Sequence, residues 1–413
     1  MAKISLIGPF KQVATMDGLS IHGAIKDEKF PILTDVGIQI KDDIIDKVED
    51  YNSILAEATR NGYEIINIEG DSVCLPGFID AHTHICFSGS RAHDYAMRNA
   101  GKSYLEIAKA GGGIWDTVRH TRAASQQELI AGILHRAKRL LTKGITTIEV
   151  KSGYGLSVKE ELKMLLAIKD ADQTTQQDLI STCLAAHIFP KDFDGTPADY
   201  LTLIVDELFP IISSQQLSKR VDAFIEQEAF TPEVITSYFE AAKNYGFDIT
   251  VHADQFHPGG SKVAVDMQAI SADHLEASTD QEINMLAKSQ TIAMALPGAS
   301  IGLGCAFTPA RKILDQGGAL AIASDWNPGS APMGDLLSQA SILGAFEKLT
   351  NSEVFAGITY RAAAALKLFD RGRITANQKA DLVIFPCANL NEILYQQGSM
   401  NPSMVFKSGQ HMK

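Results

Sequence analysis

The sequence has few cysteines and no long apolar run. Its five cysteines contain no C-x-x-C pair, and an odd number of cysteines does not fit a disulfide framework. No window reaches the ~20 uncharged apolar residues that a membrane-spanning helix needs. The start, MAKISLIGPFKQVATMDG, lacks the continuous apolar core of a signal peptide. These features predict a cytoplasmic protein with reduced thiols and no membrane partner.

The sequence also has fewer basic residues than acidic ones. Lys and Arg number 37 against 49 Asp and Glu, which gives a formal net charge of −12. Nucleic acids attract proteins through a positive surface, so we predict no nucleic-acid partner. Hydrophobic residues make up 45% of the 413 residues, which is enough for a large core. The sequence leaves open whether two chains pair as a homodimer.

The pattern of short apolar runs divides the chain into three zones. Residues 1–71 alternate apolar and polar residues, as in DVGIQIKDDIIDKVED, and short strand-like runs return in residues 370–413. Each outer zone is too short to bury a core of its own. We therefore predict that the two zones pair into one small β-sandwich domain, with residues 72–369 inserted between them.

The middle zone repeats a strand followed by a helix. Eight apolar segments are interpreted as strands, among them GITTIEV, FDITVHA and ALAIASD, and helices such as SVKEELKMLLAIKDA separate them. Nearly continuous apolar strands between helices are typical of parallel pairing with the helices outside. Eight such units predict an α/β fold of the closed (β/α)8, TIM-like barrel type.

The predicted strands end in polar residues, and the carboxyl ends of barrel strands carry the working groups of such enzymes. The first strand ends at His82-Thr83-His84. Alternate residues of a strand share a face, so both imidazoles are expected to aim at the barrel axis. Later strands end at His187, Glu226, His252, His274 and Asp325.

Two residues at the ends of later strands, together with His82 and His84, predict a metal site. Neutral imidazoles and a carboxylate suit zinc or iron, and His252 and Asp325 can close a site begun by His82 and His84. Taken singly, an H-x-H pair is a weak signal, and an Asp after a strand is more often a helix N-cap. Their joint occurrence at one rim favours a metal centre. Cys86 shares the strand parity of the histidines, but a small buried thiol is its favoured interpretation.

Longer motifs resemble a known family. LPGFIDAHTH, the strand-end histidines and ASDWNPGS resemble the amidohydrolase superfamily. Within it, SGSRAHDYAMRNAGKSYLEIAKAGGGIW, TTIEVKSGYGL, HADQF and SADHLE are similar to the imidazolonepropionase family, and the similarity extends over nearly the whole chain. The resemblance implies hydrolysis of the cyclic amide of 4-imidazolone-5-propanoate to N-formimidoyl-L-glutamate, a step of histidine degradation.

The resemblance also implies a role for single residues. The metal ligands would be His82, His84, His252 and Asp325. Asp325 would also take a proton from water, and His274 would stabilise the oxyanion. Arg91 would hold the carboxylate of the small-molecule substrate, and the rest of the pocket would be formed by Tyr154, His187, Gln255, Asn327, Gly329 and Ser330. Gln255 stands where some relatives carry glutamate, and an amide cannot act as a base.

The expected cofactor is one divalent metal ion, Zn²⁺ or iron as Fe²⁺/Fe³⁺. Binuclear members of the superfamily use a carboxylated lysine on the fourth strand, where VDAFIEQEAF offers Glu226 and no lysine. Glu226 would then have one of three roles. It would contact a metal ligand, position the substrate, or be a buried acid with a purely structural role.

Two alternatives stay open. Another cyclic-amide hydrolase or a heterocycle deaminase of the same superfamily would use the same ligands, although a purine deaminase would not need Arg91. A non-catalytic, metal-dependent binding protein would keep the ligands without turnover. The intact set of ligands together with His274 disfavours this last alternative.

Overall fold

Both ends of the chain contribute strands to one eight-stranded β-sheet. The computed structural model describes residues 2–227 and 229–412, apart from the side chains of residues 104, 105 and 108. The N-terminal segment supplies β1 (Ile4–Ala14), β2 (Ile32–Lys41), β3 (Ile44–Asp50), β4 (Glu64–Asn67) and β5 (Val73–Pro76). Three strands from the C-terminal segment continue the sheet beyond β5, and β4 pairs with β1. The separate β-structure that the sequence predicted from the two termini is thereby confirmed.

This terminal sheet has a core of its own. The buried side chains of Ile7, Phe10, Val13, Ile38, Ile40 and Ile384 pack into one hydrophobic cluster. Strand β5 pairs with β1 and with a C-terminal strand, although it lies after residue 72. The residue limits of the two domains stay our proposal.

Eight parallel strands in sequence order form the second sheet. Their bounds are β6 (Phe78–Asp80), β7 (Ile145–Lys151), β8 (Asp178–Ala186), β9 (Arg220–Phe224), β10 (Asp248–Ala253), β11 (Ser271–His274), β12 (Ile292–Ala295) and β13 (Leu320–Ile322). The residues that follow β6 and β13 join the two edges, because Asp325 N donates to His82 O at 3.0 Å and His84 N donates to Trp326 O at 3.0 Å. The predicted (β/α)8 barrel is confirmed, and it closes at the histidine-bearing segment.

Helices cover the outside of the barrel. The helix Gln126–Leu141 shows why they form there: Ser125 and Glu128 make a reciprocal capping box at its start. Leu129, Ile133 and Leu140 then recur at helical spacing and are buried. Within the described residues, no helix is long and apolar enough to cross a bilayer.

The helices and the remaining strands have the following bounds. The helices are Tyr51–Asn61, Ala92–Asn99, Tyr104–Lys109, Ile114–Ala123, Gln126–Leu141, Val158–Asp172, Pro197–Leu203, Phe209–Ser214, Pro232–Asn244, Gly260–Asp266, Asp280–Ala287, Pro297–Leu303, Ala310–Asp315, Leu336–Glu347, Asn351–Gly357, Tyr360–Ala365 and Asn391–Tyr395, with a 3-10 turn at Asp27–Lys29 and a π-helical turn at Ile204–Leu208. The C-terminal strands are β14 (Leu382–Phe385), β15 (Met404–Lys407) and β16 (Gln410–His411).

Candidate metal centre and active site

Three histidines meet at the carboxyl end of the barrel. His82, His84 and His252 are all buried, and each offers a ring nitrogen within 4.8 Å of the others. His82 and His84 reach this point from the segment after β6, and His252 reaches it from β10. The structure thus brings together the three histidines that the sequence selected as ligands.

The carboxylate of Asp325 adjoins this group. Its Oδ1 atom lies 3.6 Å from His82 Nε2 and 3.4 Å from His84 Nε2. Both Asp325 Oδ1 and His82 Nε2 are buried without a hydrogen-bond partner in the described structure. Buried polar atoms without a partner are costly and rare, whereas a cation among four converging donor atoms would satisfy them. The donor set therefore fits a metal ion.

The protonation of the three histidines suits metal binding as well. Burial lowers the pKa of His84 to about 3 and that of His252 to about 4, and it lowers the pKa of His82 well below its usual value. Neutral imidazoles have the lone pair that a ligand needs.

Two carboxylates that we did not predict from the sequence contact the rings of His82 and His252. Asp273 Oδ2 lies 2.6 Å from His82 Nδ1, and Asp222 Oδ2 lies 3.0 Å from His252 Nδ1. A carboxylate on one ring nitrogen fixes the tautomer and orientation of an imidazole that binds metal through the other. An acidic residue inside an otherwise apolar barrel strand was the available signal.

His274 lies beside the cluster at the end of β11. Its ring centroid is 5.4 Å from that of His252, and it does not belong to the three-histidine group. Burial would lower the pKa of His274, but Glu276, Asp325 and Asp273 outweigh burial and raise it. A protonated imidazole at this position could donate hydrogen bonds from both ring nitrogens.

Above the cluster lies a cavity of about 850 Å³. Such a volume suits a small-molecule site. His82 lies beneath the cavity and is fully buried. All the other predicted site residues line it: His84, Arg91, Tyr154, His187, His252, Gln255, His274, Asp325, Asn327, Gly329 and Ser330.

A buried aspartate holds the predicted carboxylate-binding residue, Arg91. Arg91 Nε donates to Asp94 Oδ2 at 2.8 Å, and the same oxygen accepts from Gly113 N at 2.8 Å. A β-carbon at Gly112 would lie 2.3 Å from Asp94 Oδ1. Asp94 thus ties the guanidinium to the glycine-rich AGGGI segment, which explains the glycine at position 112. Sequence analysis did not single out Asp94.

A second buried acid shapes the loop of Tyr154. Glu161 accepts hydrogen bonds from Gly153 N, Gly155 N and Leu156 N at 3.0, 2.7 and 2.8 Å. The carbonyl oxygen of Gly153 in turn lies 3.0 Å from Nδ1 of His187. Because one carboxylate orders this turn, it places both the Tyr154 ring and the His187 ring against the cavity.

The side chain of Asn327 orders the loop after β13. Its Oδ1 accepts from Gly329 N and Ser330 N, both at 2.8 Å, and its Nδ2 donates to the carbonyl oxygen of Asp325 at 2.8 Å. The amide of Asn327 is therefore occupied within the protein, so we expect it to act on substrate through the loop.

Two residues that the sequence left open lie apart from the three-histidine group. Cys86 is fully buried, and its Sγ is 3.9 Å from the carbonyl oxygen of Met164, as expected for a small core thiol. Glu226 lines the cavity and accepts from Phe256 N, His257 N and His257 Nδ1 at 2.7 to 2.9 Å. Glu226 thus fastens the segment that follows Gln255.

Comparison with known proteins agrees with this geometry. The sequence profile of the amidohydrolase family matches residues 73–412, and the chain therefore belongs to the amidohydrolase family. Many of its curated relatives are named imidazolonepropionase. That of Alkaliphilus oremlandii is 40% identical over 348 residues, covering 84% of this chain and 82% of that protein. That of a Geobacillus species is 36% identical over 410 residues, covering 96% and 95%.

Solved structures share the fold at low identity. Triazine hydrolase from Arthrobacter aurescens superposes with a TM-score of 0.74 at 16% identity, covering 99% of this chain and 94% of that chain. An adenosine deaminase from Xanthomonas campestris with bound zinc gives a TM-score of 0.71 at 16% identity, covering 98% and 92%. At this identity the two likenesses show the fold alone.

Proposed function

We propose that this protein hydrolyses the ring amide of 4-imidazolone-5-propanoate to N-formimidoyl-L-glutamate, as in histidine degradation. The observation that carries the proposal is the joint position of a buried histidine cluster and Arg91 on one cavity. The cluster suits metal-assisted hydrolysis, and the guanidinium suits a substrate carboxylate. The name shared by the relatives supports this substrate.

The metal would be held by His82, His84, His252 and Asp325. A divalent ion there supplies Lewis acidity, which activates water and polarises a carbonyl group. We propose a single ion, Zn²⁺ or iron, because the described part of the fourth barrel strand, Arg220–Phe224, has no lysine to carry a bridging carbamate.

The protein's own residues divide the remaining work. Arg91 binds the propanoate, and the rings of Tyr154 and His187 contact the flat heterocycle. Asp325 accepts a proton from the attacking water, whose oxygen bonds to the ring carbonyl carbon. His274 donates a hydrogen bond to the carbonyl oxygen as that atom gains negative charge.

Bond cleavage completes the reaction. The bond between the attacked carbon and the ring nitrogen breaks, and the nitrogen takes the proton from Asp325. The carbonyl carbon becomes a new carboxylate, and the former ring nitrogen becomes part of the formimidoyl group. One water is consumed, and no oxidant or further reactant is needed.

The test compares substrates and one arginine variant. Purified protein loaded with Zn²⁺ is given 4-imidazolone-5-propanoate, a carboxylate-free 4-imidazolone, and adenosine as a deaminase substrate. We expect rapid loss of the ultraviolet absorbance of the first substrate. Arg91→Met should lower kcat/KM for it by at least about 10-fold, since a charge-assisted hydrogen bond contributes about 1.5–3 kcal/mol.

The control variant is Arg60→Met, because Arg60 is exposed in the last turn of the helix Tyr51–Asn61 and lies outside the cavity lining. Its kcat/KM should equal that of the unmodified protein. Preference for adenosine would favour a deaminase on the same scaffold, and turnover of none of the three would favour a metal-dependent binding protein. Either result overturns the proposal.

A further inference from the structure

A lysine and a glutamate are fully buried inside the barrel, directly behind the histidine cluster. Both lie on β7, two residues apart in IEVK, so they share one face of the strand. Lys151 Nζ lies 2.7 Å from Glu149 Oε1 and 2.8 Å from Asp222 Oδ2. Asp273 Oδ2 is 4.0 Å away. One ammonium group thus contacts three carboxylates that come from three different strands.

Two of these carboxylates contact the rings of predicted metal ligands. The Asp222 carboxylate lies against His252 Nδ1, and its Oδ1 also accepts from the backbone N–H of His252 at 3.2 Å. The Asp273 carboxylate lies against His82 Nδ1. Each of these two rings therefore has a carboxylate at its Nδ1 atom, while its Nε2 atom faces the other histidines of the cluster.

The third carboxylate acts on the backbone between the two first ligands. Glu149 Oε2 accepts from Thr83 N at 3.1 Å, and Thr83 stands between His82 and His84 in the chain. The backbone carbonyl of Thr83 accepts from Lys151 N at 3.0 Å. The β7 strand thereby fixes the segment that carries both of those histidines.

We propose that Lys151 is a positioning residue for the metal centre. Its single ammonium group holds three carboxylates, of which two contact the rings of His82 and His252 and the third fixes the backbone between His82 and His84. The proposal rests on the metal-binding role assigned above to these histidines. Lys151 does not line the cavity and is not one of the proposed ligands.

The physical reason is charge balance in a dry interior. Three carboxylates that share a small buried volume repel one another, and burial of an unpaired charge is costly. The ammonium group offsets both effects. Without it, the acids would take up protons or turn away, and the imidazoles would lose the acceptors that fix their orientation. Loss of such an outer contact typically weakens metal binding by about 10–100-fold.

The same contacts argue against another role for Lys151. A carbamate bridge between two metal ions requires a neutral amine that reacts with carbon dioxide. The ammonium of Lys151 is engaged with two carboxylates within 2.8 Å. Lys151 is therefore expected to stay a cation, and the centre to stay mononuclear.

The test measures Zn²⁺ affinity by competition with a chromophoric chelator. Lys151→Met should bind Zn²⁺ about 10–100-fold more weakly than the unmodified protein. The control is Lys407→Met, because Lys407 is also a buried ammonium between two carboxylates, Asp178 and Asp381, at 2.8 and 2.7 Å. It lies in the terminal sheet, so its loss should lower the melting temperature without changing Zn²⁺ affinity.

Several outcomes decide the matter. Unchanged Zn²⁺ affinity in Lys151→Met, or an equal loss in both variants, would overturn the proposal. Two Zn²⁺ per unmodified chain, with one lost in Lys151→Met, would instead assign Lys151 as a bridging ligand. If Lys151→Met does not fold, the same comparison of Zn²⁺ affinity is made between Lys151→Gln and Lys407→Gln. If the unmodified protein binds neither Zn²⁺ nor Fe²⁺, the proposed function itself fails, which is a separate result.

Discussion

Gly329 lies so close to Arg91 that a β-carbon at position 329 would be 2.2 Å from Nη1 of the guanidinium. The two residues follow β13 and β6, the last and first strands of the barrel, whose carboxyl ends meet where the barrel closes. Asn327 fixes the loop of Gly329, and Asp94 fixes the guanidinium of Arg91. Both residues of this close contact are therefore held in place by hydrogen bonds. The end of the cavity that we propose to bind the substrate carboxylate is therefore built from two loops that meet only in the folded protein.

Gly329→Ala is expected to weaken substrate binding through this contact. The methyl group would displace the guanidinium, so KM for 4-imidazolone-5-propanoate should rise by roughly 10-fold, with a smaller effect on kcat. This corresponds to losing part of a charge-assisted contact of about 1.5–3 kcal/mol. Steady-state kinetics provide the measurement. An unchanged KM would show that Arg91 does not bind the carboxylate from its present position.

Glu161→Gln should disturb the Tyr154 loop. The new amide group would turn an N–H donor towards backbone N–H donors, and an unsatisfied buried group costs about 1–3 kcal/mol. We expect a lower melting temperature together with a lower kcat/KM. Glu160→Gln is the matched control, because Glu160 begins the same helix and pairs with Lys163. Equal effects of the two changes on kcat/KM would contradict a specific role for Glu161.

His274→Ala should retain metal and lose turnover. Removing one donor to a developing oxyanion typically lowers kcat by ~10²–10³, or about 2.7–4 kcal/mol. Metal content, melting temperature and kcat are measured on one preparation. Normal turnover per folded, metal-loaded chain would mean that His274 serves only the core.

The pH dependence of stability should reveal the junction between the terminal sheet and the barrel. Asp178 starts β8 and contacts Lys407, Lys379 and Arg371 from the C-terminal segment. Burial raises the pKa of Asp178, but these three cations outweigh burial and hold it below its ordinary value. A carboxyl group whose pKa is lower in the folded state stabilises the protein above its ordinary pKa, and the effect is lost as pH falls through the folded value.

Asp178→Asn is therefore expected to lower the free energy of unfolding at pH 7 by about 1–3 kcal/mol. The difference from the unmodified protein should shrink as the pH falls below about 4, the ordinary range of an aspartate. Urea unfolding at pH 7, 5 and 3 checks this. Asp35→Asn is the control, because Asp35 makes an exposed pair with Lys11, and such pairs contribute little. A difference at pH 3 as large as that at pH 7 would contradict the assignment.

Much of the fold and the convergence of three histidines could be predicted because both depend on local pattern. Strand period and strand ends placed His82, His84 and His252 at one rim before any tertiary contact was known. The carboxylates behind them could not be predicted, because their partners depend on register between distant strands. Asp273 lies opposite His252 across β10 and β11, yet it contacts His82 from the first strand segment. No spacing in the sequence indicates that Asp273 contacts His82 rather than His252.

The roles of Asp94 and Glu161 were hidden for a related reason. Both are acids inside helices, where an exposed or salt-bridged carboxylate is the ordinary expectation. Only the folded loops bring backbone N–H groups onto them. Strand β5 shows the same limit, since its apolar run resembles a barrel strand although it pairs with β14.

The most direct test is a metal titration of turnover. The protein is stripped with a chelator, and Zn²⁺ is then added in fractional amounts per chain while opening of 4-imidazolone-5-propanoate is followed by ultraviolet absorbance. The account predicts no turnover without metal, a linear rise as Zn²⁺ is added, and a plateau at one ion per chain. Full turnover in the stripped protein, or a plateau at two ions per chain, would contradict it.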